Sequence, residues 1–236
     1  MPKMHRFVLL NMICGLLIGS AVALPVAAST ACMDLPQSTL QLYSIEAVDV
    51  QKLDATKNGL RQQFPSDFVS IRHPVMLVVS NVVALYDIKN RVIQADDGSI
   101  CGSPELVRIG FGSTQRTIFL AQPAADDDCV RRRILDHGEV HIQALDDAVL
   151  RFIDEQQATF QQGMKALKQT PAPSESVLEE QWDRGLQIII SISRQQLITK
   201  MRAASAQVDE GSILADLANA CGGKIGRFDQ DLEMNP

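Results

Sequence analysis

The sequence predicts an α+β domain in which a small antiparallel or mixed sheet precedes two long antiparallel helices. Three observations carry that reading. Up to about residue 121 the chain holds short runs rich in Val, Leu and Ile with apolar and polar residues alternating, the pattern of strands. From Asp126 to about Lys168 there is no proline, and apolar residues recur at helical spacing. A second helical stretch follows Pro171-Ala-Pro173 and runs to about Val208.

The first residues describe an address. Lys3 and Arg6 precede an apolar run from Phe7 to Leu24, and small residues follow in Val26-Ala27-Ala28 and Ser29-Thr30-Ala31. This is the arrangement of a secretory signal over residues 1–28, with cleavage between 28 and 31 and residues 29–236 left as one domain. Cys32 after Ala31 leaves lipid attachment as an alternative, against which Ser29 stands where a leucine-like residue is usual. The whole chain has 22 Lys+Arg against 28 Asp+Glu. Loss of Lys3 and Arg6 moves the net charge from −6 to about −8. That balance argues against nucleic acid or an anionic membrane surface as partner and against stable membrane insertion after cleavage, and leaves an unidentified protein or peptide. The expected location is periplasmic or secreted.

Leu40 to Ala47 alternates as a strand. A short helix is expected next, capped by Asp49, ended by Gly59 and packed through Val50, Leu53 and Leu60. Val75 to Tyr86 reads as buried strand with an irregularity at Ser80-Asn81, and Asp96-Asp-Gly-Ser99 is a turn signal. Val107, Ile109 and Phe111 alternate with polar or small residues. Gly112-Ser113-Thr114 is expected to turn the chain into a second hairpin arm, Thr117 to Ala121. Asp126-Asp127-Asp128 then offers a helix cap. Ser176-Val-Leu-Glu179 has the form of a capping box for the second helix, whose apolar positions include Leu178, Trp182, Leu186, Ile189, Ile190, Leu197 and Met201. Two long helices joined by a short proline turn fold back antiparallel as a C-terminal hairpin. A short helix near Ile213 to Ala220 and a polar tail complete the chain.

Four cysteines remain outside the signal. Cys32, Cys101, Cys129 and Cys221 suit two disulfides in an exported chain, and their spacing lacks the close pairs of a zinc ribbon. Of three connectivities, Cys101–Cys129 and Cys32–Cys221 are expected.

Chemistry concentrates in one stretch, Ile134-Leu-Asp-His137-Gly-Glu-Val-His141. Residues four apart stack on one helical face, so two imidazoles there can converge on one ion. On the helical wheel, Ile134, Leu135, Ile142, Leu145, Val149, Phe152 and Ile153 form the apolar face with both histidines on its edge. Gly138 sits near the middle of that face, where a glycine permits close approach of another group at a cost of about 1 kcal/mol in helix stability. Glu139 falls on the flank, about 160° around the helix from His141. Zinc needs a third protein ligand. With the hairpin turning at Pro171–Ser174, opposed residues have numbers summing to about 345, which sets Asp209 and Glu210 beside His137. His73, just before a strand, is the other candidate. Gly-x-Ser-x-Gly elbows, phosphate loops and dinucleotide fingerprints are absent from the sequence.

Ile118-Phe-Leu, then Cys129 and the helix bearing His137-Gly-Glu-Val-His141, resembles the secreted zincin-like metallopeptidase domains, in which a strand of a small mixed sheet precedes the metal-binding helix. The resemblance covers residues 40–155 in layout and rests on one short motif. It implies His137 and His141 as zinc ligands. It supplies no base, since Gly138 stands where the family has glutamate, which leaves Glu139 as the displaced candidate. The function expected is an exported metal-binding protein, a weak or inactive zinc peptidase. The alternative is a metal-free envelope protein whose helical hairpin, through Trp182 and Leu186–Ile192, docks a partner.

Overall fold

The computed structural model describes residues 35–95, 98, 100–166, 172–210 and 212–234. The expected signal and Cys32 lie outside them. The chain builds β1 (Thr39–Ser44), β2 (Gln51–Ala55), the single turn α1 (Lys57–Leu60), β3 (Phe68–His73), β4 (Met76–Gln94) and β5 (Ile100–Ala121). The short α2 (Gln122–Ala125) then leads into α3 (Asp128–Ala166), α4 (Glu175–Val208) and α5 (Ser212–Met234). A small mixed sheet followed by long helices is the α+β class expected.

The long β4–β5 antiparallel hairpin is the spine of the sheet. It reverses near Gly98, whose φ of +83° is the left-handed conformation that the Asp-Gly signal anticipates. β3 adds antiparallel to β4, while β1 and β2 add parallel to successive parts of β5's other edge, Leu106–Phe111 and Thr117–Ala121.

Two expectations fail here. Gly112-Ser113-Thr114 does not turn the chain, because Gly112 has no positive φ and β5 runs through it unbroken. These glycines answer to packing. A Cβ on Gly110 would stand 2.5 Å from the Tyr43 ring, and one on Gly112 would stand 2.8 Å from Ile45 Cβ. Nor does a helix begin at Asp49, since Gln51–Ala55 pairs with the β5 edge and tertiary hydrogen bonding overrides local preference. Only α1 remains, capped by the Thr56 side chain accepting from Gly59 N at 3.2 Å. The irregularity expected near Ser80-Asn81 is a register shift between Asn81 and Val82.

α3 starts where the acidic trio implies, with Asp127 Oδ1 accepting from the Cys129 and Val130 amides, each at 3.1 Å. α4 is capped by Ser174, not by Ser176: the Ser174 hydroxyl accepts from Val177 N at 3.4 Å. Leu145, Val149, Phe152 and Phe160 of α3 and Leu186, Ile190, Leu197 and Met201 of α4 close over Val107, Ile109 and Phe111 of β5. A second cluster joins Val75–Val79, Ile118 and Leu120 to Val130, Ile134 and Ile142 of α3 and to Leu217 and Ile225 of α5.

The tail differs from expectation. Helix resumes after Ala220–Gly223, where Cys221, Gly222 and Gly223 take φ of 56°, 68° and 75°. The expected disulfides are also overturned. Cys129 bonds Cys221, which rules out both Cys101–Cys129 and Cys32–Cys221, and Cys101 is itself disulfide-bonded. The reason is the kink: α5 bends back so that Cys221 reaches the first turn of α3, where Lys224 also pairs with Asp127. Among the described residues no helix is long and apolar enough to cross a membrane.

The Cys129–Cys221 bond spans 92 residues. The paired Cys129→Ser/Cys221→Ser variant is expected to lose about 2–4 kcal/mol of unfolding free energy, read from urea midpoints. An unchanged midpoint would show that α5 is held by its other contacts alone.

Candidate metal centre

Packing against the sheet fixes how α3 presents its histidines. At Gly138 a Cβ would meet Ile118 Cδ1, Ile118 Cγ2 and Met76 Sδ, each at 3.0 Å, so the helix lies flush on β4 and β5 at that residue. His137 and His141 therefore turn along the edge of the contact, towards α4. Both are buried, with edge-to-face rings whose centroids are 4.7 Å apart.

α4 brings its last turn to the same place. Asp209, its C-cap, sets Oδ1 3.0 Å from His137 Nε2 and 3.1 Å from His141 Nε2, and the two Nε2 atoms are 3.2 Å apart. His137, His141 and Asp209 are a group that could hold a metal ion. The outermost member is Asp209, at 28% exposure of its side chain.

Hydrogen bonding alone cannot satisfy all three edges of this triangle. A neutral imidazole has one N–H, so the edge between the Nε2 atoms requires one ring to donate and the other to present a bare lone pair. The accepting ring then has no proton for Asp209, and its lone pair faces a carboxylate oxygen. With a proton on both Nε2 atoms, the two hydrogens oppose each other instead. A shared cation would resolve the conflict, since each of the three atoms can offer it a lone pair. Donor atoms bound tetrahedrally to one ion at about 2.0–2.2 Å lie about 3.3–3.6 Å apart, so the observed edges of 3.0–3.2 Å fall a few tenths of an ångström short of that spacing.

The electrostatics favour the form that ligates. Burial holds the pKa of both rings below the ordinary 6.5, against the carboxylate of Asp209, which pulls it up. The charge of His73 adds a smaller downward effect on each. Both imidazoles thus favour neutrality.

The other candidates are placed apart from this group. His73 ends β3, near enough for its charge to be felt but outside the triangle. Glu210 is exposed, and its amide donates to Gln207 O at 3.3 Å. Glu139 is half exposed and ion-paired with Lys52 of β2, on the flank where the wheel sets it. Beside His137 a groove of about 250 Å³ opens between α3 and α5, lined by Arg133, Asp136, Val140, Ile213, Asp216 and Leu217.

One buried neighbour escaped the sequence reading. Ser205 Oγ lies 2.7 Å from His141 Nδ1, with both residues about 1% exposed. The signal for it was present: the hairpin numbering that sets Asp209 opposite His137 also sets Ser205, one turn earlier, opposite His141.

No family model, curated protein or solved structure matches this chain.

Two outcomes follow from the packing and the burial. Gly138→Ala is expected to lower stability by about 1–3 kcal/mol in denaturant unfolding, although alanine favours helix by about 1 kcal/mol, because the added methyl meets Ile118 and Met76. A gain in stability would show that the interface has slack. For the metal-free protein, both imidazoles have folded pKa values below the ordinary 6.5. Above that pH their burial adds no protonation penalty. As pH falls through it towards the lower folded values, the unfolded chain takes up protons that the folded chain refuses, and stability drops. Urea midpoints across this window should fall in the parent and flatten in His137→Asn/His141→Asn, whereas a flat parent profile would contradict the buried neutral pair.

Proposed function

We propose that this chain is an exported metal-binding protein of zincin-like descent that holds zinc between His137, His141 and Asp209. The observation that supports this reading is the buried triangle of two Nε2 atoms and one carboxylate oxygen with edges of 3.0–3.2 Å. Two neutral imidazoles and a carboxylate form a donor set that zinc accepts, with a further position left for water or a ligand. When bound, zinc supplies Lewis acidity and lowers the pKa of a coordinated water. The Cys129–Cys221 disulfide supports an oxidising compartment, periplasmic or extracellular.

Peptide hydrolysis has weaker support. The residue after His137 is Gly138, where even a Cβ would meet Ile118 and Met76 at 3.0 Å, and Lys52 pairs with Glu139 on the flank of the helix. Our reading is therefore metal binding without the peptidase base. A second reading, a helical hairpin that docks a protein, draws on Ile188 and Ile192 of α4, four residues apart and more than half exposed. Trp182 and Leu186 face the interior and are unsuited to that role.

Metal analysis of the mature protein loaded with zinc and dialysed should find about one zinc per chain. His137→Ala/His141→Ala should retain none, and Asp209→Asn should bind at least roughly 100-fold more weakly. A parent that retains no zinc would reject this function and favour the docking reading. Should peptide cleavage accompany zinc, Glu139→Gln is expected to leave its rate unchanged.

A further inference from the structure

Ser205 is the only described group in hydrogen-bond contact with the second ring nitrogen of His141, and it belongs to neither the sheet nor the α3 helix that carries the histidines. Its place on α4, one helical turn before Asp209, makes one helix face deliver both a candidate ligand and the partner of another ligand. The contact is short, at 2.7 Å, and lies where water has almost no access.

The geometry leaves His141 Nε2 as the atom directed at His137 and Asp209, since Nδ1 faces Ser205. A neutral imidazole has one proton, so ligation through Nε2 requires that proton to sit on Nδ1. A hydroxyl can accept it. The same hydroxyl can rotate and donate to a bare Nδ1 when the proton resides on Nε2. Alanine can do neither and would leave Nδ1 buried without a partner. An aspartate there could only accept, and would hold a second negative charge in the core.

We propose that Ser205 is a positioning residue for the metal centre: its hydroxyl accepts the Nδ1 proton of His141, fixing the tautomer and ring orientation that free Nε2 for the ion. The inference rests on the metal-binding reading above. It adds that the ion's affinity depends on a side chain that never touches it. Outer partners of this kind typically alter metal affinity by about 10- to 100-fold.

The test uses the full mature chain, purified metal-free, and compares parent, Ser205→Ala and Ser205→Thr. Zinc affinity is measured by competition with a chelator, unfolding midpoints are taken without metal, and ¹⁵N chemical shifts report the His141 tautomer. Ser205→Ala should bind zinc about 10- to 100-fold more weakly while remaining folded, and Ser205→Thr, which keeps the hydroxyl, should recover most of the affinity. In the zinc-bound parent the shifts should show the proton on Nδ1. If the parent binds zinc and Ser205→Ala binds equally well, the serine merely fills a polar gap and the proposal is overturned. A proton found on Nε2 in the zinc-bound parent overturns it as well, even where Ser205→Ala fails to fold. If the parent binds no zinc, the metal reading itself has failed.

Discussion

The antiparallel packing of α3 on α4 holds His137 beside Asp209 and His141 beside Ser205, and a slide of one helical turn, about 5.4 Å, would separate both pairs. That register comes from the core below. Leu145, Val149 and Phe152 on one helix and Leu186, Ile190, Leu197 and Met201 on the other share the surface made by Val107, Ile109 and Phe111. Interdigitated apolar side chains resist sliding because every displacement opens voids. The polar cluster inherits its geometry from an apolar contact several turns long.

The sheet contributes a second restraint, the depth at which α3 sits. Gly138 lets the helix press on Ile118 and Met76, and this close seat turns the neighbouring histidines sideways towards α4. A glutamate at that residue would thrust a carboxylate between two apolar side chains, at the energetic cost of a buried unpaired charge. Close seating of the helix therefore favours glycine at this residue. α5 closes the arrangement: it leaves α4 just beyond Asp209, and its kink is fastened to the first turn of α3 by Cys129–Cys221.

Much of this was legible in residue patterns. The apolar repeat on α3 and α4 reports their length and inner faces because a helix buries a fixed stripe whatever it packs on. Proline spacing reports the reversal between them, and numbering across that reversal reaches Asp209. What stayed hidden depends on partners distant in sequence. Gly110 and Gly112 resemble turn residues, yet their lack of side chains serves Tyr43 and Ile45 from β1 and the residue after it. Gln51–Ala55 has no strong strand signal of its own, and becomes a strand because the edge of β5 needs hydrogen-bond partners. The disulfide pairing rests on three successive left-handed residues at Cys221–Gly223, a bend that periodicity cannot foresee. Ser205 looks like any small residue within a helix until the opposing imidazole is placed.

The central claim is that two imidazoles and one carboxylate, brought together by helix register, share one ion. X-ray absorption at the zinc edge of the loaded, dialysed protein tests it most directly. The account predicts a first shell of nitrogen and oxygen at about 2.0–2.2 Å, with the outer-ring scattering of two imidazoles that vanishes in His137→Ala/His141→Ala. A shell containing sulfur, or one of water oxygens with no imidazole signature, would contradict it.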